Sequence, residues 1–170
     1  MPEPDRYRGK YQGTVVSTTD PESRGRIQAQ VPGVYADTTS TWALPCFPFA
    51  GQGMGFYALP AIGAGVFIEF LDGDLNHPVW SGCSYLSESE VPSDALSGTP
   101  ELPNTVLQTI GGHTIILSDA PGGEGITLRT QQGASLVIND DGITISNGQG
   151  ASISLSGSTV SINNGALTVT

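Results

Sequence analysis

From Gly111 to Thr170 the chain reads GGHTIILSDAPGGEGITLRTQQGASLVINDDGITISNGQGASISLSGSTVSINNGALTVT, and one small unit recurs in it seven times. Each unit holds two aliphatic residues separated by one position: Ile115/Leu117, Ile126/Leu128, Leu136/Ile138, Ile143/Ile145, Ile153/Leu155, Val160/Ile162 and Leu167/Val169. Successive units start 11, 10, 7, 10, 7 and 7 residues apart, with Gly, Asn, Asp and Ser between them. A period of two puts each aliphatic pair on one face of a strand and Ser, Thr or Asn on the other. The stretch therefore predicts a stack of short strands, each with one dry face.

A single chain has difficulty covering those faces. A monomeric parallel β-helix needs roughly 20 or more residues per coil and at least about three coils, and the spacing is not that of a hexapeptide repeat. Copies of the chain wound around one axis would bring the apolar edges together, with neighbouring chains completing the hydrogen-bond ladders. Three copies suit a wall with three faces. The expectation is an intertwined homotrimeric β-prism, a triple-stranded β-helix, with the fourteen aliphatics above as its core. After Asp141 no side chain is charged, which avoids repeating a like charge three times near the axis. A narrow, rigid shaft fits this surface, and a solvated β-solenoid without a special task is the blander alternative.

Composition supports an all-β protein: 23 Gly and 12 Pro, abundant Ser, Thr and Val, and no long apolar segment of helical period. The formal charge is −10, and a trimer would carry three times that, which disfavours nucleic acid as a partner. Five of the six basic residues, Arg6, Arg8, Lys10, Arg24 and Arg26, lie near the N-terminus. They form either a docking face for an acidic partner or a salt-bridged surface. The first residues, Met1-Pro2-Glu3-Pro4-Asp5, lack a basic region and an apolar run, so a secretory signal is not expected. Synthesis and folding in the cytoplasm are the expectation. Cys46 and Cys83 lack CxxC spacing and are expected as buried thiols.

Ahead of the repeats, Tyr11 to Thr18 alternates as a strand and Asp20 to Gly25 is a turn. Arg26–Val31, Trp42–Cys46, Val66–Phe70 and Pro78–Gly82 complete five short strands within about eighty residues, Trp80 lying in the last with Val66 and Ile68 in the fourth. Such a set fits a small closed barrel of the OB type. The glycine-rich Gly51–Tyr57 is no phosphate loop, because it lacks the GxxxxGK[ST] pattern and a following helix. Residues 1–87 are thus read as the barrel, 88–105 (polar, three prolines) as a linker, and 106–170 as the shaft.

Three pieces of the first half, DPESRGRIQAQVPG (Asp20–Gly33), AGQGMGFYALPAIGAGVFIEF (Ala50–Phe70) and GDLNHPVWSG (Gly73–Gly82), resemble in order and spacing the OB domain of phage baseplate assembly protein V and of VgrG-type spike proteins. TIGGHTIILSD (Thr109–Asp119) and EGITLRTQQGASLVIND (Glu124–Asp140) resemble the opening rungs of that family's trimeric β-helix. The resemblance implies the central spike of a contractile injection system, assembled into a phage tail, pyocin-like particle or extracellular injection particle. It implies tail-tube, hub and baseplate proteins at the OB end, a small conical PAAR-repeat tip protein at the other, and transient contact with a target envelope. The tip protein would cover Ala166, Leu167, Thr168, Val169 and Thr170. Larger VgrG hub domains, a C-terminal effector and a terminal HxH pair are missing from this sequence.

No catalytic, cofactor or metal residues are expected. His77 and His113 stand in Asn76-His77-Pro78 and Gly111-Gly112-His113, without triad surroundings, and read as packing residues or makers of a turn hydrogen bond. No GxSxG elbow is present. An OB-fold module binding an oligosaccharide or oligonucleotide on Trp42, Phe47, Phe49, Phe56 and Tyr57, with the repeats as an extension, is the alternative, although core packing explains these aromatics more simply. A β-helical polysaccharide-cleaving enzyme is a third reading, and it finds paired carboxylates only at Asp140/Asp141.

Overall fold

The computed structural model describes residues 7–122 and 125–169. The chain divides into two compact units at Glu88/Ser89.

The first unit is built on β1 (Tyr11–Ser17), β2 (Gln28–Gln30), β3 (Leu44–Pro45), β4 (Ala50–Gly51), β5 (Met54–Gly55), β6 (Gly65–Phe70) and β7 (Pro78–Ser84). Five of these form a sheet in the order β2-β1-β6-β7-β3, with only the β3–β7 pair parallel. The sheet curls until Ile27 and Ala43 exchange both backbone hydrogen bonds, 2.8 and 3.2 Å, bridging its two ends. Register shifts at Val15/Ser17 and Val66/Ile68 supply the bends that a small barrel needs.

Alternation decides the core. Val15, Ile27, Ala29, Val31, Ala43, Val66, Ile68, Phe70 and Trp80 point inward and are buried. Trp80 donates its indole N–H to the Gly25 carbonyl at 3.1 Å, so its polar edge is satisfied inside. The opposite parity of β7 carries Val79, Ser81 and Cys83. Cys83 therefore lies on the outside, and Cys46 is exposed too, which corrects the expectation of two buried thiols.

The β1–β2 connection is pinned by one carboxylate. Asp20, its side chain 3% exposed, accepts hydrogen bonds from the backbone N–H groups of Glu22, Arg24 and Arg26 and from the Arg26 guanidinium at 2.6 and 2.9 Å. Arg26 also meets Glu22 at 3.0 Å, Arg24 meets Glu22 and Lys10 meets Glu69. Much of the N-terminal basic cluster is a salt-bridged face.

The second unit is an eight-stranded antiparallel meander: β8 (Thr105–Gln108), β9 (Thr114–Leu117), β10 (Ile126–Arg129), β11 (Ser135–Asn139), β12 (Gly142–Ser146), β13 (Ser152–Ser156), β14 (Thr159–Ile162) and β15 (Leu167–Val169). Every strand pairs with its neighbours in sequence. The sequence reading expected neighbouring chains to complete these ladders. Short turns let one chain do so by itself.

Three turns on one margin share a design. Thr109, Thr130 and Asn147 each turn a side-chain oxygen back to accept the N–H four residues on, from His113, Ala134 and Ala151 at 3.0–3.1 Å. Gly112, Gly133 and Gly150 occupy the same place in each turn with φ of +79°, +90° and +102°. The cap satisfies a donor that has no ladder partner.

Residues 89–104, read from sequence as linker, contain a short 3-10 turn at Ser93–Leu96 that packs near β8. Asn104 Nδ2 donates to the Asp94 carbonyl and to Ser97 Oγ, and Arg129 pairs with the Asp94 carboxylate. These contacts tie the segment to the ladder.

Candidate functional site

The ladder register sorts its side chains into columns. Leu107, Ile115, Leu128, Leu136, Ile145, Ile153, Ile162 and Leu167 stand opposite one another strand by strand. Two positions along each strand runs a second column of Leu117, Ile126, Ile138, Ile143, Leu155, Val160 and Val169, headed by Thr105. Side chains two apart on a strand share a face, so all fourteen aliphatics singled out from sequence share one. Leu107 joins them. Sequence reading missed it because its strand lacks a second aliphatic two residues away.

This face is open in a single chain. Ile145 is 49% exposed, Leu117 46% and Leu167 56%, and most of the others are similar. A continuous aliphatic surface over eight strands is far more than scattered apolar residues on a normal surface. The site is therefore a docking face rather than a pocket. Its chemistry is burial of apolar area, worth about 25 cal/mol per Å² removed from water.

Between the two columns, and pointing the other way, runs a third: Val106, Ile116, Thr127, Val137, Thr144, Ser154 and Ser161 by register. Its first part is apolar and covered, Ile116 being 4% exposed and Thr127 1%. Arg129 shares this face with Thr127, and Asp94 reaches it there. The later part is polar, with Thr144 exposed.

At the far margin β15 pairs with β14 on one side only, among the described residues. Ala166, Leu167 and Val169 are exposed there, and Thr168 pairs with Ser161 through the backbone. Thr170 lies outside the described residues.

The other candidates serve structure. His77 Nδ1 lies 2.9 Å from Asp74 Oδ2 in the β6–β7 turn, and Asp74 is held below the usual carboxylate range by the Asn76 N–H and then by His77. His113 gives its backbone N–H to Thr109. Asp141 closes a tight turn through its N–H to Asn139 Oδ1. Of the five aromatics considered as a stacking face, Phe47 packs edge-on against Trp80 at 5.5 Å, and Trp42 lies under Arg26 at 5.7 Å. Phe49, Phe56 and Tyr57 are exposed, which corrects the expectation that core packing explains them all.

Comparison with known proteins covers both units. Residues 11–85 match the family described as type VI secretion system/phage-baseplate injector OB domain. Residues 104–168 match the phage baseplate V C-terminal trimerisation domain. Relatives include the type VI secretion system spike protein VgrG4b of Pseudomonas aeruginosa, 29% identical over 115 residues, covering 64% of this chain and 14% of the relative. VgrG5 of the same organism is 28% identical over 134 residues, covering 71% and 16%. An actin cross-linking toxin, VgrG1 of Vibrio cholerae, is 32% identical over 111 residues, covering 62% and 10%. The chain thus corresponds to a small part of each relative's length. With the injector OB domain over its barrel and the trimerisation domain over its ladder, the chain belongs to the baseplate V and VgrG-like family of spike proteins.

Proposed function

We propose that three copies bury their aliphatic columns against one another, forming the stiff central spike of a contractile injection system. The observation that carries this reading is the pair of unbroken aliphatic columns left open on one face of the lone chain. Three faces closing on one axis would bury them completely, and the neutral polar residues of the opposite side would form the outer wall. The match to a trimerisation domain supports the same number.

In this role the barrel end joins tail-tube, hub and baseplate proteins, and sheath contraction drives the shaft through a target envelope. The work is mechanical, and nothing in it calls for a catalytic group or a cofactor. The assembled particle is a phage tail or a related injection device. The one-sided β15 strand and the exposed Leu167 and Val169 suit a small conical tip protein of the PAAR-repeat type, which would cover an apolar end and an unpaired edge together.

Native mass spectrometry of the full chain tests the assembly: a trimer is expected, and a compact monomer refutes the reading. Deletion of residues 166–170 tests the tip. Capture of a purified PAAR-repeat cone protein should be lost, and unchanged capture would show that the tip binds elsewhere.

A further inference from the structure

Asn followed by Gly occurs twice, at Asn147-Gly148 and Asn164-Gly165, both in turns of the ladder. The pair has its own chemistry: with no Cβ on the second residue, that residue's backbone nitrogen can approach the asparagine side-chain carbonyl closely. The two sites are held very differently. Asn147 joins β12 to β13 inside the ladder, and its Oδ1 accepts the N–H groups of Gln149 and Ala151 at 2.9 and 3.0 Å. Gly148 donates its own N–H to Ser146 Oγ at 3.1 Å, and a Cβ on it would stand 2.7 Å from the Gly133 carbonyl carbon. Both reacting groups are pinned there.

Asn164 is held far less. Its side chain is exposed and makes no hydrogen bond among the described residues. The Gly165 N–H has one bond, at 3.2 Å, to the Ile162 carbonyl. The backbone is left-handed over three consecutive residues, Asn163 at φ +50°, Asn164 at +54° and Gly165 at +97°, a conformation that strains the two asparagines. The turn also carries the last hairpin, whose strand β15 pairs on one side only among the described residues. Such a turn opens at lower cost than one between interior strands.

We propose that Asn164 is a site of spontaneous deamidation in the folded chain. The Gly165 backbone nitrogen gives up its proton and attacks Asn164 Cγ. The Cγ–Nδ2 bond breaks, Nδ2 leaves as ammonia, and a succinimide ring closes. Water then adds at one of the two ring carbonyls, giving aspartate or, when the chain is left running through Cγ, isoaspartate. The sum is one water consumed and one ammonia released, with no oxidant or reductant. The product is an acid in a stretch where no side chain beyond Asp141 is charged, three positions before Leu167. The step is one-way, so the end of the ladder gains negative charge with age. In the isoaspartate form the β14–β15 turn is also one backbone atom longer, which loosens the hold on β15. None of this depends on the number of chains assembled.

The experiment uses the full chain, kept in warm, mildly alkaline buffer and sampled over time by peptide mass spectrometry that separates aspartate from isoaspartate. Acid at position 164 should accumulate at least about tenfold faster than at position 147, where three hydrogen bonds must first open. A smaller ratio overturns the proposal. Synthetic peptides covering 143–152 and 160–168 hold the same dipeptide without the fold. The ratio between them should be smaller than in the chain, and one as large shows that neighbouring residues rather than the fold choose the site. The Asn164→Gln chain should form no acid in that segment; acid that persists there places the reaction at Asn163 and overturns the assignment. Hydrogen exchange along β15 should quicken in the isoaspartate fraction while β12 keeps its rate, and unchanged β15 exchange refutes the loosening.

Discussion

Truncation of Ile145 to alanine separates a buried column from an exposed one. Ile145 stands opposite Leu136 on one neighbouring strand and Ile153 on the other, and is 49% exposed in the single chain. If that face stayed in water, removing three carbons from a half-covered site would cost about 1 kcal/mol at roughly 0.8 kcal/mol per buried CH₂. On a closed threefold axis the site is fully covered, the cavity remains, and the cost rises to about 2–5 kcal/mol per chain. The loss recurs three times at one level of one cooperative assembly, or about 6–15 kcal/mol per trimer. Spread over the whole trimer, that lowers the melting temperature by on the order of 5–20 °C, against about 2–4 °C for the exposed case. Calorimetry at several protein concentrations, with native mass spectrometry on the same samples, measures both quantities. Thr144→Ala, one residue away on the opposite exposed face, is the control and should shift melting by no more than about 2 °C. An Ile145→Ala trimer melting within about 4 °C of the parent would refute the inward placement of the column.

Gly142 opens β12 at φ +137°, and a Cβ there would stand 1.9 Å from the Leu155 carbonyl oxygen, so Gly142→Ala should abolish soluble trimer on gel filtration. Gly157 has φ +56° with open space around it, and Gly157→Ala should cost only about 1–2 kcal/mol of backbone strain and leave the trimer intact. Equal behaviour of the two variants would contradict the register that sets β12 against β13. In the barrel, Arg26 and then the three backbone N–H groups hold the Asp20 carboxyl well below the usual carboxylate range. A depressed folded-state value means that the stabilisation is fully present above the unfolded value of about 3.9 and is lost as pH falls below it. Asp20→Asn should therefore lower barrel stability at pH 7 and flatten the decline below about pH 4; an unchanged acid limb in chemical denaturation shows that the network contributes little.

The ladder was legible because its code is local. A period of two with a turn every few residues fixes strand, face and hairpin at once, and a slip of one position would turn every aliphatic to the other side. The barrel strands could be read for the same reason, with β6 (GVFIEF) and β7 (PVWSGCS) showing the inward parity directly. Side-chain roles spanning longer separations were harder to see. Asp20 looks like any turn aspartate until five donors are found around it. Phe49, Phe56 and Tyr57 look like core aromatics until the barrel proves to be filled without them.

One missed signal shows how much two-sided burial can be read from sequence. Strands β12 (GITIS) and β13 (SISLS) alternate strictly and bury one face at most. Strands β9 (TIIL) and β11 (SLVIN) break the alternation with a third aliphatic, Ile116 or Val137, and β8 carries Val106 at the matching position. These three fall in a single outward column that also holds Thr127. A strand apolar on both faces requires cover on both, so the extra aliphatics mark where the ladder is double-walled. The cover belongs to the same chain: residues 89–104 hold Asp94 against Arg129 at the end of β10, and Ile116 and Thr127 are buried there. Where the third aliphatic gives way to Thr144, Ser154 and Ser161, the column turns polar and needs no cover, and Thr144 lies exposed.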